Sequence, residues 1–417
     1  MSAPAFSVPS KRILSECGNA PLAGVRIIDI STVMAAPFST QILADFGAEV
    51  IKVEEPRGDI MRQSGPSPQP NMSPIFQHLN RNKQGITLDL KHPKGLATLT
   101  ALLKGADVLV YNMRPPAMCR LGLGYEQVKK INNQLIYCGI VGYREEGPYA
   151  NMPAYDDLIQ GAAAIPDMIS RALGGEPRFI PFALVDRIVG LYAVNAIIAA
   201  LFRQTRQSEG CALEIPMFET AAHFLLVEHM FQRSFSPPTG SALNPRMMEP
   251  DRRPYATKDG YICVLPYTDK HWESLFILAE RPDLLGKQKF KTFPSRRENV
   301  RELYSILASI LATKTTDEWF RILREADIPI SRSNTVEELL NDPHLKAIGF
   351  FRHTRQPGMK EEFIHLSYPC KWSNWNPEAP RPAPRLSEHS RQILKRAGFN
   401  SKEITELINE GVTHDGQ

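Results

Sequence analysis

The chain has 417 residues, of which 43% are hydrophobic and 23% are charged, close to the averages of globular proteins. The formal net charge of +4 is small for this length, so the composition excludes disordered and fibrous classes and makes nucleic acid a poor candidate partner. The six cysteines stand singly and the histidines show no metal-ligand spacing, which predicts a reducing compartment and no metal site.

The N-terminal residues and the most apolar run bear on where the protein resides. Residues 1–20 contain no continuous apolar stretch of the signal-peptide type, so we expect a loose lead-in and a cytoplasmic protein. The apolar run at 188–202 contains Asn195 and is shorter than the roughly 20 residues that a membrane helix needs. We therefore expect no membrane partner.

The first half of the chain alternates short apolar runs with segments of helical spacing. The first unit has strands at 25–29 and 49–53, separated by a break at 35–37 and a helix at 38–46. Strands that alternate with helices at this spacing predict a doubly wound α/β domain with a parallel sheet. The same rhythm continues, until about Gly210, with strands at 86–90, 107–111 and 135–139 and helices at 95–103 and 125–131.

The second half has a different organisation. A Pro-rich segment at 236–254 indicates a linker or an ordered loop. It is followed by a strand at 260–265, by helices such as the one that Thr316 is expected to cap, and by closing helices at 391–397 and 402–409. We predict a lead-in at 1–20, a large domain at 21–230 completed by 345–417, a linker at 231–254 and a smaller α/β domain at 255–344.

Asp186 lies between an apparent strand at 180–185 and a helix at 187–202, where α/β proteins bind ligands. Its carboxylate has two explanations, a helix cap or a nucleophile. A carboxyl group with a reference pKa of about 3.9 is already anionic at neutral pH, so it needs no neighbouring base. It does need an activated acyl group such as a thioester, held in attack geometry.

Other polar groups also have a functional and a structural interpretation. Tyr155, Asp156 and Asp157 form a second acidic group or a solvated loop with a helix cap. Basic residues near successive strand ends collect phosphates or are surface charges; they are Arg81, Lys83, Lys91, Arg114 and Arg120. The sequence has no dinucleotide fingerprint, P-loop or nucleophile elbow.

The chain resembles the class III CoA transferases, which include formyl-CoA and carnitine-CoA transferases and are related to the α-methylacyl-CoA racemases. The resemblance covers nearly the whole chain in an ordered set of motifs: PLAGVRIID at 21–29, LADFGAEVIKVE at 43–54, NK at 82–83, NMRP at 112–115, RLGLG at 120–124, LIYCG at 135–139 and LSEHS at 386–390.

The resemblance implies a catalytic role for Asp186, with Tyr155 and Asp156 as its neighbours. It places the coenzyme A contacts on Val33, Met34, Ala35, Leu88, Lys91, Asn112, Met113 and Arg120. Coenzyme A would arrive as an acyl-CoA substrate beside a small carboxylic acid, with no permanently bound cofactor. The family also implies an interlocked homodimer with long linkers.

Two other activities remain open for an acyl-CoA protein of this kind. The related racemases abstract a proton beside the thioester with a His and an acidic partner, and this chain has Tyr155 at the matching position. Without an imidazole there, two-base proton transfer lacks its usual partner, which favours the transferase. A catalytically inactive CoA-binding protein is the third alternative. We expect CoA transfer through an aspartyl anhydride and an aspartyl-CoA thioester.

Overall fold

The computed structural model describes residues 18–357 and 359–416, and its internal contacts divide them into two compact units. The larger unit comprises residues 18–163, 180–223 and 345–416, and the smaller one comprises 164–179 and 224–344. The sequence assigned 164–179 and 224–230 to the large domain, whereas the contacts group these segments with the smaller unit. The predicted lead-in lies mostly outside the described residues, since 1–17 are not among them.

The larger unit is built on a six-stranded sheet in which every neighbouring pair of strands is parallel. Its spatial order is β3-β2-β1-β4-β5-β6, which is the order of a doubly wound sheet, the fold class that the sequence predicts. The sixth strand was missed, because we expected the alternation to end near Gly210. The strands are β1 (Arg26–Asp29), β2 (Glu49–Glu54), β3 (Gln84–Thr87), β4 (Val108–Tyr111), β5 (Ile136–Val141) and β6 (Cys211–Pro216).

Eighteen α-helices are present in the described part of the chain. In order they are α1 (Ala35–Asp45), α2 (Pro74–Asn80), α3 (Pro93–Leu103), α4 (Pro115–Arg120), α5 (Tyr125–Ile131), α6 (Asp156–Ala162), α7 (Ile165–Leu173), α8 (Leu184–Gln207), α9 (Met217–His229), α10 (Asp269–Leu278), α11 (Gln288–Lys291), α12 (Phe293–Glu298), α13 (Val300–Leu311), α14 (Thr316–Glu325), α15 (Val336–Leu340), α16 (Pro343–Ala347), α17 (Ser390–Arg396) and α18 (Ser401–Asn409).

Two expectations about helix starts are wrong. The break expected at 35–37 is the first turn of α1, because Pro37 has no need of a helical hydrogen-bond acceptor so close to the N-terminus. The strand expected at 180–185 does not form: residues 180–183 are irregular and α8 already begins at Leu184. Asp186 therefore lies within the first turn of a helix instead of at a strand-to-helix joint.

The sheet packs one apolar face against the C-terminal helices. Ile28, Ile51 and Leu109 point to the same side, and side chains of α3, α5, α17 and α18 complete this core. Because side chains alternate along a strand, the intervening residues of β2 face the opposite side. There the strand places Lys52 and Glu54, which are buried charges instead of apolar side chains.

The smaller unit combines a three-stranded antiparallel sheet with helices. Its strands β7 (Tyr255–Ala256), β8 (Tyr261–Val264) and β9 (Ile330–Arg332) pack with α10, α13 and α14 around the buried Trp319. The cap of α14 is Thr315, one residue before the expected Thr316, in a capping box with Glu318. The larger unit also contains an antiparallel hairpin of β10 (Phe351–Arg355) and β11 (Glu362–Leu366).

Helix α8 is longer than the apolar run in the sequence suggested. It has 24 residues and a mean hydropathy of 1.8 in its most apolar window, which is long and apolar enough to cross a membrane. About half of that window, 56%, is buried inside the protein, as in the core helix of a globular fold. The expectation that the apolar run is too short was wrong in length, and the absence of a membrane partner stays a prediction.

Candidate active site

A cavity of about 360 Å³ opens in the larger unit at the carboxyl ends of β1, β4 and β5. Chain connections leave β1 in one direction and β4 in the other, and ligands of doubly wound folds bind at this switch point. The cavity brings together most of the residues that the resemblance implied for the site: Val33, Met34, Ala35, Asn112, Met113, Tyr155, Asp156 and Asp186.

The other implied contacts lie outside the lining of this cavity. The side chain of Leu88 is 1% exposed and packs in the core beneath the C-terminal helices. Lys91 lies after β3 and Arg120 at the end of α4, and both side chains are exposed. Leu88 thus offers a ligand only its main chain, while the two cations are accessible to an anion in solution.

The turn between β1 and α1 is fixed by side chains from two other segments. Asn112 accepts a hydrogen bond from Thr32 N–H at 3.0 Å and donates one to Thr32 C=O at 2.7 Å. Asp59 Oδ1 accepts from Val33 N–H at 3.3 Å. Val33 has a φ of +70°, which is strained for a β-branched residue and persists only where surrounding contacts impose it.

A buried ion pair between Lys52 and Asp59 stabilises the turn between β1 and α1. Lys52 Nζ donates to Ser31 C=O at 2.9 Å and to Asp59 Oδ2 at 3.0 Å, and both charged side chains are fully buried. Burial alone would lower the pKa of Lys52, but the surrounding carboxylates, chiefly Asp59, raise it above its ordinary value. The ammonium is therefore held charged, and it holds Asp59 in place for Val33.

Two cations that we considered for phosphate binding are used inside the fold. Lys83 Nζ forms a buried ion pair with Asp29 at 3.0 Å and also donates to Pro37 C=O. Arg81 forms an ion pair with Asp45 that is nearly as buried. The phosphate-binding interpretation is wrong for these two residues, because their donors are already directed at internal acceptors.

The backbone of Asp186 is held by a carboxylate from another helix. Ala183 precedes α8 and offers no capping side chain, and Asp156 Oδ1 accepts from the Asp186 N–H at 2.9 Å. Gln160 donates to the other Asp156 oxygen at 2.6 Å and accepts from Ile180 N–H at 2.9 Å. Asp156 thus supplies the cap that the sequence ascribed to Asp186, which leaves the Asp186 carboxylate for the cavity.

The Asp186 side chain is only 9% exposed, and its electrostatic surroundings are unfavourable to charge. Burial and the neighbouring Asp156 raise the pKa of Asp186 to about 7, against the opposing effect of Arg187. The carboxyl is therefore only partly ionised at neutral pH, which corrects the expectation that it is already anionic there. Its ionised form is poorly solvated, and a poorly solvated carboxylate is more reactive toward an acyl carbon than a hydrated one.

Close packing of α8 on α1 fixes Asp186 relative to the strained turn. A Cβ at position 190 would lie 2.9 Å from Ala35 C=O and 2.8 Å from the Phe38 ring, so only glycine permits this approach. One turn earlier in α8, the Arg187 guanidinium stacks over the Phe38 ring at 4.6 Å.

The structure adds residues that our sequence reasoning missed. Gln160 and Asp59 position the site without lining it, and Tyr143 and Met217 form part of the cavity wall. No sequence signal connected Gln160 to the loop at Ile180, which is 20 residues away. Across residues 18–357 and 359–416, no cluster of three or more His, Cys, Asp or Glu side chains offers a metal site.

Comparison with known proteins identifies the family. Residues 22–390 match the model of CoA-transferase family III. The human succinyl-CoA:glutarate CoA-transferase is 30% identical over 403 residues, covering 94% of this chain and 90% of the relative. The Clostridium sporogenes cinnamoyl-CoA:phenyllactate CoA-transferase is 29% identical over 396 residues, covering 92% and 95%.

A solved structure shares the fold. The crystal structure of Rv3272 from Mycobacterium tuberculosis has a TM-score of 0.77 and 28% identity, over 90% of this chain and 99% of that one. The recognition of the fold and family from the motifs is confirmed. The chain belongs to CoA-transferase family III and is a CoA transferase.

Proposed function

We propose that Asp186 is the nucleophile that carries CoA between two carboxylic acids. The observation that supports it most is a desolvated carboxylate at the sheet's switch point, whose backbone is held by Asp156 while its side chain lines the cavity. Because this carboxylate is held among poorly solvating groups, forming an acyl bond relieves an unfavourable charge.

The reaction consists of two matched half-reactions. A carboxylate oxygen of Asp186 attacks the carbonyl of the donor acyl-CoA, the C–S bond breaks, and a mixed anhydride and CoA thiolate form. The thiolate attacks the aspartyl carbonyl, so that the donor acid leaves as its carboxylate and Asp186 carries CoA as a thioester. The acceptor carboxylate then repeats both steps in reverse, which forms the new acyl-CoA and restores Asp186. No net proton, metal or ATP is required.

The turn before α1 is suited to the developing oxyanions and to CoA. The N–H of Val33 is already bound by Asp59, so we do not assign it to the oxyanions. The N–H groups of Met34 and Ala35 have no acceptor among the described residues, and both residues line the cavity. We assign oxyanion stabilisation to these two amides and thioester contacts to Asn112 and Met113.

The remaining CoA contacts are assigned farther from the cavity. Lys91 and Arg120 are accessible cations suited to the phosphates of CoA, and we assign a further CoA contact to the main chain of Leu88.

The cavity's composition supports transfer over racemisation. Its lining residues include Tyr155, whose side chain is 65% exposed, and they include no histidine among the residues that the structure describes. A racemase needs a second group that exchanges a proton with the α-carbon, and the described lining offers no imidazole for that role.

We also propose an interlocked homodimer in the cytoplasm. Helix α8 exposes Leu191, Ile198 and Phe202 in the larger unit, and α9 exposes Phe224 and Val227 in the smaller one. Exposed apolar side chains at this density indicate surfaces that a second copy covers. A monomer at micromolar concentration in light scattering contradicts the dimer.

The proposed cytoplasmic location agrees with the state of the cysteines. The five described cysteines are unpaired, which suits a reducing compartment.

The nucleophile is tested with Asp186→Ala on a panel of acyl-CoA donors and small acids. We expect new acyl-CoA species with the wild type and a loss of turnover of at least about 10³-fold in the variant, because the covalent route is removed. Asp157→Ala is the matched control, since Asp157 is exposed and acts on the site only at a distance. Retained turnover in Asp186→Ala refutes the assignment. Deuterium uptake at the substrate's α-carbon instead identifies a racemase.

A further inference from the structure

The turn between β1 and α1 contains backbone amides that the fold uses, followed directly by amides that it leaves free. Each N–H of residues 31–33 donates to a side chain, and the three acceptors are Asp29 at 3.0 Å, Asn112 at 3.0 Å and Asp59 at 3.3 Å. The N–H groups of Met34 and Ala35 have no acceptor among the described residues, and both residues line the cavity. The turn therefore presents free donors beside a backbone that side chains already hold.

Val33 is the residue of this turn whose backbone most needs an external restraint. Its φ of +70° lies in the left-handed region, which a β-branched side chain avoids, so local preference would direct the chain elsewhere. Such a conformation persists where the surroundings impose it, and it recurs at functional sites. The hydrogen bond from the Val33 N–H to Asp59 restrains this peptide group directly.

The Asp59 carboxylate is itself fixed by buried partners. Its Oδ2 accepts from Lys52 Nζ at 3.0 Å, and the Asp59 N–H donates to Glu54 at 2.8 Å. Glu54 in turn forms a bidentate ion pair with Arg62, at 2.7 and 2.8 Å. The Asp59 side chain is fully buried and lies outside the cavity lining. It therefore acts on the site through the Val33 peptide and not through contact with a substrate.

We propose that Asp59 is a positioning residue for CoA transfer: by holding Val33 in its strained conformation, it presets the N–H groups of Met34 and Ala35 for the charge that develops on the reacting carbonyl oxygen. Donors that are already in place lower the barrier, because the chain does not reorganise during the reaction. The inference rests on the oxyanion role proposed above for these two amides. It adds a buried residue outside the cavity to the requirements of the reaction.

A purely structural role is the main rival explanation. Asp59 and Lys52 form a buried ion pair, and breaking such a pair destabilises a fold whatever its activity. A structural role predicts that activity falls only as far as the folded fraction falls. A positioning role predicts a folded enzyme that still binds acyl-CoA but turns over slowly, since the preset amides act in the transition state.

The experiment compares two double variants that both lack the ion pair. Lys52→Met/Asp59→Asn keeps an oxygen acceptor for the Val33 N–H, whereas Lys52→Met/Asp59→Leu removes it. Kinetics are measured with succinyl-CoA and glutarate or, failing turnover with that pair, with the fastest pair of the substrate panel. We expect the kcat of the Leu variant to lie about 10- to 100-fold below that of the Asn variant. The KM for acyl-CoA should change by less than about threefold, because both half-reactions use the same amides.

Amide hydrogen exchange of the same proteins reports on the turn independently of catalysis. The Val33 N–H should exchange at least about 10-fold faster in the Leu variant than in the Asn variant, because its acceptor is gone. Adding Val33→Gly to the Leu variant should recover part of kcat, since glycine adopts a φ of +70° without steric cost.

Two further variants keep the comparison specific. Arg81→Met/Asp45→Asn removes another buried ion pair of the larger unit, whose hydrogen bonds do not reach the turn, and its kcat should stay within about threefold of the wild type. If thermal unfolding shows that the Leu variant does not fold, Lys52→Met/Asp59→Ser replaces it. The serine hydroxyl keeps a cap for the Met61 N–H, which Asp59 now caps, but it is one bond shorter and does not reach Val33.

Several outcomes overturn the proposal, and they separate it from the assignments on which it rests. Unchanged exchange at Val33 shows that Asp59 does not hold the turn. Faster exchange with equal kcat in both variants shows that the amides of Met34 and Ala35 do not stabilise the oxyanions, and a raised KM at equal kcat assigns the turn to binding alone. Turnover retained by Asp186→Ala refutes the nucleophile, while the comparison of the two double variants still reports on Asp59.

Discussion

Asp29 and Asp186 are both buried aspartates of the larger unit, and their surroundings shift their pKa values in opposite directions. Asp29 forms an ion pair with Lys83 and accepts hydrogen bonds from Ser31 and Thr40. Burial alone would raise its pKa, but Lys83 and Lys52 hold it well below the usual range. Asp186 has the like-charged Asp156 close by, and its pKa is raised to about 7.

The opposite pKa shifts distinguish a carboxylate with a structural role, Asp29, from the one that is proposed to react, Asp186. Asp29 is fully compensated, so it anchors the loop at Ser31 and has no tendency to form an acyl bond. Among the described residues no donor forms a hydrogen bond to the Asp186 carboxylate, which costs stability and favours acylation. A buried carboxylate is therefore not identified as a nucleophile by its burial alone. It is identified by burial together with a lack of ion-pair and hydrogen-bond partners.

The largest expected change in the free energy of unfolding comes from removing the Lys83 ammonium that pairs with Asp29. Lys83→Met leaves a buried, unpaired carboxylate, and we expect a loss of about 3–5 kcal/mol in the free energy of unfolding, measured by urea denaturation. The double variant Asp29→Leu/Lys83→Met removes both charges and should recover much of that loss. A Lys83→Met protein as stable as the wild type contradicts the role assigned to this ion pair.

Replacing the nucleophile Asp186 by Asn is expected to raise the free energy of unfolding, by less than the loss expected for Lys83→Met. The folded-state pKa of Asp186, about 7, lies above its ordinary value of 3.8, so the folded state loses stability as pH rises between these values. Asp186→Asn cannot ionise. Its unfolding free energy should match the wild type near pH 4 and exceed it by at most about 4 kcal/mol above pH 7.

The measurement is urea denaturation of both proteins from pH 4 to pH 8. A stability difference that is independent of pH would show that Asp186 is not strained by its charge in the folded state.

The smallest effect concerns the neighbour of the nucleophile. Asp156→Asn keeps an acceptor for the Asp186 N–H but removes a negative charge, so the pKa of Asp186 should fall. The acidic limb of the kcat/KM profile should move down by about one pH unit. Asp157→Asn serves as the control, since Asp157 is the weaker of the two contributors, and its shift should be smaller. An upward shift in Asp156→Asn contradicts the like-charge interaction.

The sequence predicted five strands and the C-terminal helices of the larger unit, because their apolar runs are bounded by clear turn residues. It was wrong at 180–185, where a run of mostly apolar residues has no period that separates a strand from a loop and helix start. The strand β6, which follows α8 and pairs with β5, was missed for a different reason, because we expected the alternation to end near Gly210.

The sequence predicted which residues line the site, but it did not predict their hydrogen-bond and ion-pair partners. The motifs implied Asp186, Asn112 and the turn at Val33, and the cavity contains all of them. Which carboxylate caps α8 depends on a contact between Asp156 and Asp186, 30 residues apart. Arg81 and Lys83 looked like ligand-binding cations because a sequence does not show which charges a fold pairs internally.

The central claim is tested most directly by following oxygen from the acceptor acid to Asp186. In the anhydride route, each turnover with an ¹⁸O-labelled acceptor carboxylate leaves one labelled oxygen on the nucleophile. We expect mass spectrometry of the digested wild-type enzyme to find the label on the peptide that contains Asp186, and to find none in Asp186→Asn. Turnover without label at Asp186, or label on another carboxylate, would contradict the account.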